Sequence, residues 1–170
     1  ETRATALAAL RIVDAANEWI YSRLDRDNTI WIQTSDNGGD PTQGASNYPL
    51  RGGKVSGWQG GFQVPCFVWL GANLRGSLKE YEGLVYVTDW VPTIIGGALG
   101  APEVLPDHLY GQDLWESLRG NSEKAREDIL LMASYGTGDE AGEAMVSLRT
   151  DRYKVTIGQA PCAVGTPAGA

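Results

Sequence analysis

Thr29-Ile30-Trp31-Ile32-Gln33-Thr34 runs directly into Ser35-Asp36-Asn37-Gly38-Gly39. The first six residues are β-branched, aromatic or apolar almost throughout, as in a strand covered on both faces. The next five place an acid beside an amide and then give the chain two glycines with which to reverse. Ahead of the strand, residues 3–24 read as a helix, with Leu10, Val13, Ile20 and Leu24 near one face. Asp25-Arg26-Asp27-Asn28 forms the polar turn between them. A helix leading into a nearly apolar strand predicts an α/β layer fold. In such folds ligands gather at the carboxyl ends of strands, where Asp36 and Asn37 stand.

Oxygen donors at such a place suit a hard cation such as calcium. Taken alone, Asp36-Asn37-Gly38 reads first as a plain turn, because Asn-Gly is a strong turn signal. Downstream, Leu50-Arg51-Gly52-Gly53-Lys54 adds a compact positive charge with rotatable donors. Residues 38–61 form a glycine-marked loop too long for an ordinary connection inside a compact domain, which suggests a functional role.

The chain has 170 residues, 14 Lys and Arg against 21 Asp and Glu, and a net charge of −7. No basic block favours nucleic acid. An anionic ligand would need a local positive site working against that field, which Lys54 with a metal would provide. No apolar run is long enough for a membrane span. No signal peptide opens the chain at Glu1-Thr2-Arg3, which is the expectation for a processed or truncated product. Cys66 and Cys162 are too few for a disulfide framework. Cys66 is expected to be a buried small hydrophobe, and a Cys66–Cys162 bridge stays open.

A second strand is expected over Phe62–Leu70, with Pro65 near its start or on a sheet edge. Leu84–Val87 reads as a short strand or an extended approach. A helix capped by Thr88 or Asp89, with Pro92 in its first turn, should run to about Leu99 and stop at Gly100. Asp89 there reads as a cap before it reads as a catalytic acid. Leu114–Leu118 is a helical turn. Strands are expected over Arg126–Met132, Met145–Leu148 and Arg152–Ile157, and the tail from Gly158 is rich in Ala, Gly and Pro. The six tryptophans read as packing residues, and His108 as a surface or hinge residue. The expected organisation is 1–121 as an α/β domain, 122–158 as a C-terminal subdomain, and 159–170 as a tail.

Three stretches in order, Ser35 to Gly39, Ser46-Asn47-Tyr48-Pro49-Leu50-Arg51-Gly52-Gly53-Lys54, and Trp58-Gln59-Gly60-Gly61-Phe62-Gln63-Val64-Pro65, resemble the sulfatase family, and arylsulfatases in particular. Val87–Thr93 and Leu148–Lys154 are similar to two further family stretches. The resemblance covers about residues 5–158 and only the later part of a sulfatase. It implies part of an alkaline-phosphatase-like sandwich with a small C-terminal antiparallel α+β subdomain. It also implies Asp36 and Asn37 as calcium ligands, Lys54 as the catalytic and substrate-binding residue that contacts the sulfate group, and a secreted or lysosomal location.

The family's nucleophile is a formylglycine made from cysteine in a Cys-x-Pro-Ser-Arg motif. Cys66-Phe67-Val68-Trp69 and Cys162-Ala163-Val164-Gly165 do not match it. The family's early paired aspartates and its active-site histidines are also absent from this sequence, and one carboxylate and one amide leave a calcium shell incomplete. The expectation is therefore part of a sulfuric ester hydrolase, completed by a second chain carrying the N-terminal portion. An inactive sulfatase-derived structural subunit is the first alternative. A phosphate or phosphonate ester hydrolase is the second.

Overall fold

A computed structural model describes residues 2–54, 56–77, 80–123, 125–134 and 145–157. Cys162, the tail from Gly158 and the turn between the expected strands at 126–132 and 145–148 lie outside the described residues. The described residues form two units, one up to Leu74 and one from Arg75. Each mixes helices with a small antiparallel sheet, consistent with an α/β chain.

In the first unit, α1 spans Thr2–Tyr21, β1 Ile30–Thr34, α2 Gln59–Phe62 and β2 Cys66–Leu70. β1 and β2 pair antiparallel, with Ile30 opposite Leu70 and Thr34 opposite Cys66. Trp31 and Trp69 thus face each other, and Tyr21 at the end of α1 meets both rings at 6.3 and 5.7 Å. Phe67 closes edge-on over Trp31 at 5.6 Å. The first helix is anchored to the sheet by these rings. The polar turn between helix and strand folds on itself, with Asp27 N donating to Asp25 Oδ1 at 2.9 Å.

Four expectations are corrected here. The strand at Ile30–Gln33 is half-buried, not covered on both faces. The apolar positions Leu10, Val13 and Ile20 of α1 are 59%, 45% and 39% exposed, because nothing in the described residues covers that face. Cys66 is exposed, since it opens β2 where the pair with β1 ends. Nevertheless, partial burial of its sulfur pushes the thiol up from 9.0, and a hydrogen bond from Thr34 works the other way. The second strand also begins later than Phe62. Gln59–Phe62 forms one helical turn, closed by Gln63 N donating to Gln59 O at 2.8 Å.

In the second unit, the helix α3 is continuous but changes its winding. It is a 3-10 turn over Val87–Asp89, α-helical over Trp90–Pro92 and π-helical over Thr93–Ala98. Gly100, at φ +65°, adopts the left-handed conformation that ends it. Leu84–Val87 forms no strand; Leu84 is buried and Val87 opens the 3-10 turn. A short helix α4 covers Trp115–Leu118. β3 (Asp128–Ser134), β4 (Met145–Thr150) and β5 (Lys154–Ile157) form an antiparallel sheet in that order, with a register shift between Leu130 and Met132.

A buried ion pair holds this unit together. The side chains of Arg126 and Asp89 are 1% and 0% exposed. Asp89 accepts from Tyr86 N at 2.7 Å and Gln112 N at 2.9 Å, and from Arg126 Nε at 2.9 and 3.2 Å. Both terminal guanidinium nitrogens are also engaged, one with Asp89 and Tyr110 O, the other with Asp128 O. Burial works against the Arg126 charge, and the Asp89 carboxylate outweighs it, holding the guanidinium above its ordinary value. Thr93 adds a second tie, its hydroxyl accepting from Leu114 N at 3.0 Å.

Candidate functional site

The site region lies in the first unit, in the turn after β1 and the loop that follows. Ser35 Oγ donates to Asn37 O at 2.9 Å, and Asn37 N donates to Asp36 Oδ1 at 2.9 Å. Asn37 Nδ2 donates to Gly38 O at 3.0 Å. These local bonds take the donor end of the amide and one carboxylate oxygen. Among the described residues no donor reaches Asn37 Oδ1 or Asp36 Oδ2, so two hard oxygens remain at the strand end. Asp36 is exposed and Asn37 half-buried.

The next residues are stitched to the loop main chain to main chain. Gly38 N donates to Gly61 O at 3.0 Å, Lys54 N to Gly39 O at 3.1 Å, and Gly60 N to Arg51 O at 2.7 Å. The approach is so close that a Cβ on Gly38 would lie 1.6 Å from Gly60 O, and one on Gly53 would lie 2.6 Å from Gly39 O. Gly52 turns the chain at φ +80°, a conformation that costs a side-chain-bearing residue more than glycine. Ser56, buried, accepts from Gly53 N at 3.0 Å and donates to Gly53 O at 2.7 Å. Asn47 reaches across this loop: its Oδ1 accepts from Gly39 N at 2.8 Å, and its Nδ2 donates to Gly39 O at 2.8 Å and Gly52 O at 3.1 Å.

Lys54 is thus tied by its main chain to Gly39, two residues beyond Asn37, or about 7 Å of fully extended chain. The Lys54 turn and the Asp36–Asn37 turn are therefore brought side by side. The ammonium is exposed, and among the described residues no carboxylate pairs with it at contact distance. Its charge is felt at Asp40. Hydrogen bonds from Thr42, first from its hydroxyl and then from its backbone, hold the Asp40 carboxyl below its usual 3.8, and the Lys54 charge adds to the effect. The two Thr42 bonds measure 2.7 and 2.8 Å.

Among the described residues, no group of at least three His, Cys, Asp or Glu side chains converges as a metal cage. Asp36 and Asn37 fit calcium in kind, being hard oxygen donors with free lone pairs, and supply only part of the six to eight oxygens it takes. His108 is exposed in its loop. Asp89 is committed to Tyr86 N, Gln112 N and Arg126; the helix starts earlier than expected, with Tyr86 rather than Thr88 or Asp89 as its N-cap, and Asp89 reaches back to it from the first turn. Arg51 stacks on Trp58, its guanidinium carbon 3.9 Å from the ring centroid. Among the described residues, no helix is long and apolar enough to cross a membrane.

Two of these residues were not legible as site residues from side-chain chemistry. Asn47 precedes Tyr48-Pro49 and reads as an ordinary turn residue. Asp40 falls within the stretch read only as loop, and it caps the short 3-10 turn Pro41–Gln43.

A family model described as Sulfatase matches residues 1–101. Arylsulfatase J of Mus musculus is 42% identical over 128 residues, covering 72% of this chain and 21% of that protein. Steryl-sulfatase of Mus musculus is 33% identical over 89 residues, covering 51% of this chain and 14% of that protein. Steryl-sulfatase of Rattus norvegicus is 30% identical over 136 residues, covering 72% and 23%. Among solved structures, that of Ps i-CgsB in complex with k-i-k-neocarrahexaose superposes with a TM-score of 0.62 at 28% identity, covering 77% of this chain and 28% of that one. The chain thus spans between about a seventh and a quarter of the length of the curated relatives it matches. With the family model covering more than half of its residues, the chain belongs to the sulfatase family.

Proposed function

We propose that this chain forms the metal- and sulfate-contacting part of a calcium-dependent arylsulfatase-like sulfuric ester hydrolase, within an alkaline-phosphatase-like sandwich. The observation that carries the reading is Gly39 O accepting from Lys54 N, which sets a cation-bearing turn against an oxygen-bearing one. Asp36 and Asn37 would hold the calcium ion, together with oxygens from outside the described residues. When bound, that ion supplies positive charge where the sulfuryl oxygens carry negative charge.

Lys54 acts on the same group. A sulfate ester breaks at its S–O bond, and negative charge builds on the departing oxygen and the sulfuryl oxygens. An ammonium held beside them, with donors free to rotate, lowers the energy of that charge distribution. Its usefulness depends on its being unpaired in the resting site, as it is among the described residues. Asp40, whose carboxyl feels the Lys54 charge, tempers the positive field.

Neither cysteine stands in the motif that yields the family's formylglycine. We therefore place the nucleophile, and the remaining calcium oxygens, on an N-terminal sulfatase portion that joins this chain. The small share of its relatives that the chain spans supports this. So does the uncovered apolar face of α1, where Leu10, Val13 and Ile20 are exposed. An extracytoplasmic location goes with this reading.

The test is hydrolysis of 4-nitrophenyl sulfate by the natively purified protein, accompanying chain included, with and without a calcium chelator. Hydrolysis is expected, together with its loss on chelation. Lys54→Ala is expected to lower kcat/KM by about 10²–10³-fold, the usual cost of removing a charge-stabilising donor. Retention of activity within threefold in Lys54→Ala would remove the lysine from the reaction. A pure, folded native preparation that hydrolyses no sulfate ester would favour an inactive structural subunit. Turnover of 4-nitrophenyl phosphate with a transition metal would favour the phosphate-ester relative.

A further inference from the structure

We propose that Asn47 is the positioning residue of this site: it sets the separation between Lys54 and the Asp36–Asn37 turn without touching the substrate. The inference rests on the sulfatase reading above and assigns a role that the sequence motifs leave unassigned.

The geometry is specific. The Asn47 amide meets both polar groups of one residue, accepting from Gly39 N and donating to Gly39 O, each at 2.8 Å. A side-chain amide that satisfies a residue on both sides in this way imitates a neighbouring strand. Its second donor bond, to Gly52 O at 3.1 Å, carries the tie into the Arg51–Lys54 turn. Among the described residues, no other side chain hydrogen-bonds to both Gly39 and that turn. Gly39 O in turn accepts from Lys54 N at 3.1 Å, so the amide and the lysine main chain share one oxygen.

The gap is narrow. A Cβ on Gly53 would lie 2.8 Å from Asn47 Nδ2 and 2.6 Å from Gly39 O, and one on Gly39 would lie 3.3 Å from Asn47 Oδ1. Pro41 and Ala45 also lie against these glycines, and the Asn47 amide supplies the side-chain hydrogen bonds that tie one turn to the other. Truncation to alanine removes all of the side-chain bonds and leaves Lys54 N–Gly39 O as the link between Gly39 and the lysine turn. Small misplacements of charge-stabilising groups carry large rate costs.

The experiment is a double-mutant cycle on 4-nitrophenyl sulfate hydrolysis, in the natively purified protein with its accompanying chain. Asn47→Ala is expected to lower kcat/KM by about tenfold or more. In the Lys54→Ala background the same substitution is expected to change it by less than about twofold, because a residue acting through the lysine has nothing left to position. A residue that merely supports the fold would give the full loss in both backgrounds, and that result would overturn the proposal.

Asn47→Asp keeps the acceptor for Gly39 N and loses both donors. It is the second variant should the alanine form unfold, and it is held to the same rule. Thermal unfolding of each variant checks that the compared proteins are folded. If the parent protein hydrolyses no sulfate ester, the sulfatase reading falls and takes this one with it. If the parent is active and Lys54→Ala is not, yet Asn47→Ala stays within twofold of the parent, the positioning role alone falls.

Discussion

Replacing Arg126 by methionine tests the buried polar centre of the second unit. The substitution keeps much of the aliphatic stem and removes a guanidinium that contacts Asp89, Tyr110 O and Asp128 O. Asp89 would keep only Tyr86 N and Gln112 N as donors, at a position with no solvent exposure. Stranding one partner of a buried pair costs about 3–5 kcal/mol. The two carbonyls that lose a donor are partly buried, so water replaces it at smaller cost. For a cooperative unit of this size each kcal/mol lowers Tm by roughly 4–8 °C, so the fall should be at least about 12 °C.

The assay is thermal unfolding followed by circular dichroism, with amide hydrogen exchange at Tyr86 and Gln112 as the local probe. Arg126→Lys should fall between parent and methionine, because one ammonium cannot reach all the acceptors the planar fork serves. A loss below about 1 kcal/mol in Arg126→Met, the range of an exposed pair, would refute the reasoning. It would mean that Asp89 is hydrated or relocates when its partner goes.

Gly38→Ala should disrupt the site loop, because its Cβ would meet Gly60 O at 1.6 Å and main chain must move; loss of amide protection at Gly38 and a destabilisation of about 1–3 kcal/mol are expected, and unchanged protection would contradict the close approach. The Asp40 carboxyl should titrate below 3.8, and Thr42→Val should raise it more than Lys54→Met does, since the Thr42 hydroxyl is the largest cause; carboxyl chemical shifts against pH give the order. With its folded value depressed, any stability Asp40 contributes is present above pH 3.8 and is lost as pH falls through the lowered value. Cys66, its thiol raised from 9.0, should alkylate more slowly at pH 8 than an unperturbed thiol, and Thr34→Val should slow it further; equal rates in the parent and a model peptide would count against partial burial of the sulfur.

Local pattern carried the sequence reading where neighbours in the chain decide the structure. The helix at Thr2–Tyr21, the strand at Ile30–Thr34 and the last three strands all lie within a few residues of where periodicity puts them. Gly100 ends its helix as a glycine at that position should. The misreadings come from what periodicity does not encode. Apolar spacing in α1 names a face and does not say what covers it. Cys66 continues an apolar run, yet its exposure depends on where the partner strand ends.

The candidate site was legible as a set of residue types and much less as a geometry. Asp36, Asn37 and Lys54 stand out by the order and spacing of their motifs, since Asp36-Asn37-Gly38 taken alone reads as a plain turn. Asn47 is eight residues from the glycine it holds, and Asp89 is 37 residues from Arg126, separations that no local pattern reports. A short motif can name residue types while the residues whose hydrogen bonds tie their turns together look like ordinary turn formers.

The crossing of Gly38, Gly53, Gly60 and Gly61 has an implication for how this protein can change over generations. In an aliphatic core a bulky replacement can be accommodated by trimming a neighbour. Where backbone meets backbone there is nothing to trim, so a methyl group gained at one of these positions has no compensating partner elsewhere. Variation should therefore be channelled outward into stretches such as Thr42–Ser46, leaving the crossing itself closed to drift.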